Sequence, residues 1–245
     1  MQDVYGGDKM AIYAMSDLHL SLSIKNKPMD IYGDLWTNYM DKIKENWNKT
    51  VSPNDVVIVG GDISWAMYLN ECYDDFNFIN NLNGKKIISK GNHDYWWESV
   101  TKLNKYITEN EFDTMTFLNN SSYMYNGVAI CATRGWPDKS YGNFNAENEK
   151  IYNRELNRLE LSLKSCINNN PEKIIAVLHY PPITKEHTVN QDYMDILNRY
   201  NVDVCLYGHL HSNALRYAFE GKADNIYFKL TSADFLEFTP FKVEF

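Results

Sequence analysis

Five short runs of apolar, largely β-branched residues, each followed at once by aspartate, asparagine or histidine, constrain this chain more than any other feature. The runs occupy residues 11–15, 56–59, 86–89, 174–178 and 204–207. Bounded by turn-formers, they read as buried strands. Residues 34–49, 68–82, 96–107, 147–165 and 191–200 carry helical patterns between them. The clearest is 147–165, with Ile151, Leu156, Leu159 and Leu163 on one face. Strands alternating with helices predict an α/β domain with a largely parallel sheet. Segments 116–118, 123–125, 128–133, 226–230 and 241–245 read as further strands without helices between them, which predicts antiparallel additions or a second sheet.

Sites in α/β sheets form just beyond the carboxyl ends of strands. After the five runs come Asp17-Leu18-His19, Gly60-Gly61-Asp62, Gly91-Asn92-His93-Asp94, His179-Tyr180-Pro181-Pro182 and Gly208-His209-Leu210-His211. Five such ends can converge on one cleft. Of the six histidines in the chain, five lie in these segments and only His187 stands apart, which random placement would not produce. Gly61, Gly91 and Gly208 allow sharp turns and close backbone approach.

The donor types choose the chemistry. Imidazole, carboxylate and carboxamide oxygen suit Mn, Fe or Zn, and the lack of cysteine among them argues against a structural zinc knot. A pair of such ions needs about seven or eight ligands and a bridging carboxylate. Pairs about 3.5–4 Å apart clamp a phosphoryl group and generate a hydroxide nucleophile near neutral pH.

In this order, D-x-H, G-G-D, G-N-H-D, H and G-H-x-H resemble the calcineurin-like metallophosphoesterase superfamily, over most of the chain. Lys27-Pro28-Met29-Asp30, Asp62-Ile63-Ser64-Trp65-Ala66, Tyr95-Trp96-Trp97 and Thr133-Arg134-Gly135-Trp136 look like a bacterial subgroup of predicted phosphohydrolases. The resemblance implies an α/β fold, a four-layer sandwich of two mixed β-sheets flanked by helices. It implies that Asp17, His19 and His211 hold one transition-metal ion, that Asn92, His179 and His209 hold a second, and that Asp62 bridges them. His93 then serves the leaving group as proton donor or electrostatic stabiliser, and Asp94 orients its ring. The implied reaction is hydrolysis of phosphate monoesters or diesters of small molecules.

Taken singly, these residues have plainer readings. A lone D-x-H is more often a turn, Asp62 can cap a helix, and Asn92 can serve a turn. Their joint order after five strands decides for function. Arg134 is expected to contact the substrate phosphate, since guanidinium suits oxyanions; the plain alternative is a surface salt bridge. Trp65, Trp96, Trp97 and Trp136 follow the motifs closely, and at least two are expected in the core. Lys27 is expected to be solvated.

Composition narrows the alternatives. The formal net charge of -8 argues against a nucleic-acid surface and gives no sign of an anionic-membrane binder, so the expected partner is a small-molecule phosphate ester. A protein serine/threonine phosphatase of this superfamily would carry an Asp-Arg pair after its G-D motif and a glutamate in place of Asp94; Ile63 to Ala66 contain no arginine. A nuclease would add a capping domain, and a non-catalytic scaffold would have lost donors. Four scattered cysteines, none paired as CxxC, fit buried thiols in a reducing cytoplasm. Residues 1–9 lack an apolar targeting run and read as an extension ahead of a start at Met10, followed by a single domain over residues 10–245.

Overall fold

The computed structural model describes residues 10–24, 27–142 and 144–245, so the expected extension at 1–9 lies outside the described residues. The apolar runs build two sheets. In the first, β1 (Ile12–Met15), β2 (Val56–Val59), β3 (Lys85–Ile88) and β4 (Met115–Phe117) are parallel neighbours, and β11 (Phe241–Lys242) pairs antiparallel with β1. The second runs in the order β5 (Ser122–Tyr125), β6 (Val128–Thr133), β7 (Lys173–Leu178), β8 (Val204–Tyr207), β10 (Ile226–Leu230), β9 (Gly221–Ala223). There β6, β7, β8 and β10 are parallel, with β5 and β9 as antiparallel edges. The segments expected as antiparallel additions therefore divide: β5 and β11 are antiparallel, whereas β4, β6 and β10 join the parallel ladders.

Period-two alternation explains the layering. Tyr13 and Met15, with Val57 and Val59, face one way and pack on α1 (Tyr39–Thr50), α2 (Tyr73–Asn80) and α3 (Val100–Glu109). Ile12, Ala14, Val56 and Ile58 face the other way, against Ile130, Ile175, Val177 and Leu206 of the second sheet. The outer face of that sheet, with Cys131, Ala176 and Cys205, packs on α4 (Ala146–Ile167) and α5 (Gln191–Arg199). Strands apolar on both faces are what a sheet covered on both sides requires. The result is the expected four-layer α/β sandwich of two mixed sheets flanked by helices.

Three expected helices start later than their patterns, and in the stretch 68–72 a short 3-10 turn at Leu69–Glu71 precedes α2. The stretch 34–38 breaks because Trp36 turns inward and Asn38 adopts a left-handed φ of 53° before α1 begins. The stretch 96–99 is not helical: Trp96 is buried edge-on to Phe76 at 5.0 Å, and Ser99 caps α3 by accepting the Lys102 N–H. All four cysteines are free and buried. Among the described residues, no helix is long and apolar enough to cross a membrane.

Candidate metal centre

The carboxyl ends of β1, β2, β3, β7 and β8 do meet, and the turns that follow them are tight. Asp17, His19, Asp62 and His209 all have left-handed backbones, with φ of 61°, 46°, 52° and 74°. Side-chain-bearing residues adopt that region only where the surroundings impose it. Here the β1 and β2 loops are zipped together: the Asp17 N–H donates to Gly61 O at 2.8 Å and the His19 N–H to Asp62 O at 2.9 Å. A Cβ on Gly61, whose φ is +95°, would sit 2.5 Å from the Gly91 nitrogen, so the β2 and β3 loops touch backbone to backbone. A Cβ on Gly208 would collide with Asp17 Oδ2 and Ser16 Oγ.

Asp17, His19 and His211 form a first group of donors whose ligand atoms lie within 4.8 Å of one another. The Ser16 and Ser232 hydroxyls donate to Asp17 Oδ2 at 2.6 and 2.9 Å, and the His209 N–H donates to the same atom at 3.0 Å. Oδ1, which shares the His209 N–H at 3.2 Å, faces His211 Nε2 at 3.2 Å. The His211 Nδ1–H donates to Asp234 Oδ1 at 2.8 Å, so its Nε2 points inward, 3.3 Å from His19 Nε2. This is the carboxylate–histidine arrangement that orients metal ligands.

Asp62, His179 and His209 form a second such group. The His179 Nδ1–H donates to Gly60 O at 3.1 Å, which turns Nε2 toward Asn92 Oδ1 at 2.7 Å and Asp62 Oδ2 at 3.3 Å. Asp62 Oδ1 accepts the His93 N–H at 2.7 Å. Its Oδ2 is thus left between the groups, 3.9 Å from His19 Nε2 on the other side. Carboxylate oxygens and imidazole nitrogens converge in both groups, and a cation, proton or metal, is what satisfies such a convergence.

The protonation behaviour agrees. Asp17 lies far below the usual carboxylate range, because His211, His179 and His19 outweigh the burial that would raise it. Burial likewise opposes the shift of Asp62, which His179 brings down to about 2. Burial would lower His179 and His211, but Asp62 lifts the first to about 9, and Asp17 with Asp234 lifts the second to about 10. Burial prevails at His19, lowered to about 4, and at His209, lowered to about 3. The two carboxylates draw positive charge into the site, and metal ions compete with protons for the same nitrogens.

The remaining candidates divide. The His93 ring stands outside both donor groups, 4.7 Å from the Trp65 ring and 5.8 Å from that of His19. Asp94 does not orient that ring, contrary to expectation. Its buried carboxylate accepts three backbone N–H groups instead: Gly91 at 2.7 Å and Asp62 at 2.9 Å on Oδ2, Ile63 at 2.8 Å on Oδ1. The turn at Gly91 aims it into the β2 loop, and burial together with Asp62 raises it to about 7. The Arg134 guanidinium lies 3.6 Å from Glu155 and over the Trp136 ring. Trp65 stacks on His19 at 4.9 Å, Trp96 is core, and Lys27 rests its ammonium over Trp65 at 5.3 Å. Ser16, Ser232 and Asp234 complete the surroundings without having been expected. The last two follow β10 directly, a sixth run that ends in Thr231-Ser232-Ala233-Asp234.

The family model of the calcineurin-like phosphoesterases matches residues 10–213, a span that includes every donor above. The chain belongs to this family. Among solved structures, this calcineurin-like phosphoesterase is similar to a protein of unknown function from Aquifex aeolicus, at 17% identity and TM-score 0.51 over 95% of both chains. It is similar to the phosphopantetheinyl hydrolase of Mycobacterium tuberculosis, at 14% identity and TM-score 0.56 over 95% of both chains. TT1561 of Thermus thermophilus follows at 11% identity and TM-score 0.54 over 82% of both chains. At such identities these likenesses speak for a shared fold. No curated protein matches the chain.

Proposed function

We propose that this phosphoesterase hydrolyses phosphate esters of small molecules with two transition-metal ions. Asp17, His19 and His211 would hold one ion and Asn92, His179 and His209 the other, with Asp62 shared. The observation that carries the reading is the Asp62 carboxylate: one oxygen is tied to the His93 N–H, and the other stands between the two donor groups. Mn, Fe and Zn all suit the donor set. Bound there, such ions supply positive charge to phosphoryl oxygens and bring the pKa of bound water toward neutrality.

The chain's own side chains supply the rest. A slot of about 130 Å³, lined by Met29, Tyr32, Trp36 and Trp65, opens beside His19, His93 and His211. Its aromatic walls suit the organic part of a small ester. His93 faces that slot from outside the donor groups, where an imidazole can hand a proton to a departing oxygen. Asp94 acts as a positioning residue that clamps the β2 loop to the β3 loop. Arg134 is a substrate contact. The four free thiols suit a reducing compartment, so a cytoplasmic location belongs to this reading, as does the absence of nucleic-acid and membrane partners.

The test is turnover of p-nitrophenyl phosphate and bis-p-nitrophenyl phosphate by the Mn²⁺-loaded protein, whose ratio also separates monoesterase from diesterase. Asp62→Asn should abolish both activities. Wild-type turnover by that variant would contradict the assignment.

A further inference from the structure

A second cavity, of about 260 Å³, lies between α4 and the carboxyl ends of β3, β4 and β6. Four of its ten lining residues are cations: Lys90, Arg134, Arg154 and Arg158. Glu155 is the one carboxylate among them. In a chain of net charge -8, this pocket carries +3 (four cations less one carboxylate).

Glu155 offsets one of the four charges and leaves the rest. It is fully buried, and Arg158 Nη1 claims Oε1 at 2.6 Å while the Thr133 hydroxyl donates to Oε2 at 2.9 Å. Arg134 Nη2 stays 3.6 Å away, and Arg134 Nε is buried without a hydrogen-bond partner. Among the described residues, Lys90 and Arg154 pair with no carboxylate. Solvated surface cations need no partner, but a buried guanidinium N–H that finds no acceptor is costly. A guanidinium fork matches the oxygens of phosphate and carboxylate.

The pocket adjoins the metal centre through main chain. Lys90 leads directly into Gly91 and Asn92, and Arg134 O accepts the N–H groups of His179 at 3.0 Å and Tyr180 at 2.9 Å. Through these links the pocket borders the strand-end loops that carry Asn92 and His179. We propose that this pocket is a subsite for a second oxyanionic group of the substrate, carried on the same molecule as the ester cut at the metal centre. The inference rests on the function proposed above and narrows it to esters that bear an additional phosphate or carboxylate.

The bisphosphates of ethanediol, butanediol and hexanediol, compared with their monophosphates on the metal-loaded chain, test it while scanning the spacing. At the best length, kcat/KM for the bisphosphate should exceed that for the monophosphate at least tenfold, well beyond the statistical factor of two for two equal esters. The gain should lie mainly in KM. Arg154→Gln should bring the ratio near two, and Arg154→Lys should keep most of the gain. A ratio near two at every length, or one that Arg154→Gln leaves unchanged, overturns the subsite. So does a site for free anions only, in which inorganic sulfate alters the monophosphate rate while the ratio stays near two. If no ester is turned over, the proposed function fails instead. The pocket is then read by calorimetric binding of the bisphosphates, and binding that Arg154→Gln does not weaken overturns it separately.

Discussion

The two donor groups sit at the same strand ends, yet different kinds of partner hold them. Around Asp17 and His211 the supports are mainly side chains, Ser16, Ser232 and Asp234, with the His209 N–H as the one main-chain donor among the described residues. Around Asp62 and His179 they are main chain: Gly60 O fixes His179, and the His93 N–H fixes Asp62. The carboxylate behind the second group is Asp94, and it too acts on backbone, gathering three N–H groups. Outer partners orient metal ligands and tune their basicity. The first group is therefore adjustable by point substitution, whereas the second is fixed by the turns themselves, with Asp94 as its one exposed weakness.

The largest effect should come from that weakness. Asp94→Ala leaves three buried N–H groups without an acceptor, at about 1–3 kcal/mol each. Thermal unfolding should show a loss of several kcal/mol, and elemental analysis should show loss of metal from the second group. Native stability with full metal content would show that the loops hold without it.

His93 belongs to the second group's loop but faces the slot beside the first, so its removal should spare both sites. His93→Asn should keep its metals and lose about 10²–10⁴-fold in rate on an alkyl phosphate, the usual range for general acid catalysis. The loss on p-nitrophenyl phosphate, whose leaving group departs unprotonated, should be far smaller. Equal losses on both esters, or a lost metal, would return His93 to the support of its loop.

Asp234→Ala probes the adjustable side. Metal affinity of the first group should fall about 10–100-fold while the second is unchanged, as competitive chelator titration can resolve. A parallel fall at both would erase the distinction between them. The smallest effect belongs to Arg134, outside either group. Arg134→Ala should lower kcat/KM about tenfold or more, in keeping with a charge-assisted contact of about 1.5–3 kcal/mol, with metal content normal. Unchanged kinetics would make Arg134 a partner of Glu155 and nothing more.

The donors were legible because each follows its strand at once, so strand position and chemistry coincide in the sequence. The same signal stood after β10, where Thr231, Ser232 and Asp234 follow an apolar run, but without histidine or glycine it passed for an ordinary strand end. The resemblance implies a ring-orienting role for Asp94 that its direction does not allow. Adjacent side chains on a tight turn diverge, and only the turn's course shows that this one reaches the β2 loop. The basic pocket was illegible for another reason: Lys90, Arg134 and the pair Arg154 and Arg158 lie on three distant segments, and only α4's packing on β6 brings them together. Trp36 broke a helical pattern because its ring packs beside His19 and His211, 6.1 and 5.8 Å away between centroids, a tertiary preference that local propensity does not contain.

The central claim is that Asp62 is shared between two ions. Electron paramagnetic resonance of the Mn²⁺-loaded protein, with elemental analysis of the same sample, tests it most directly. Two manganese per chain with a spin-coupled dinuclear spectrum, lost in Asp62→Asn, is the predicted result. One manganese per chain, or two with the spectrum of isolated ions unaffected by Asp62→Asn, would contradict it.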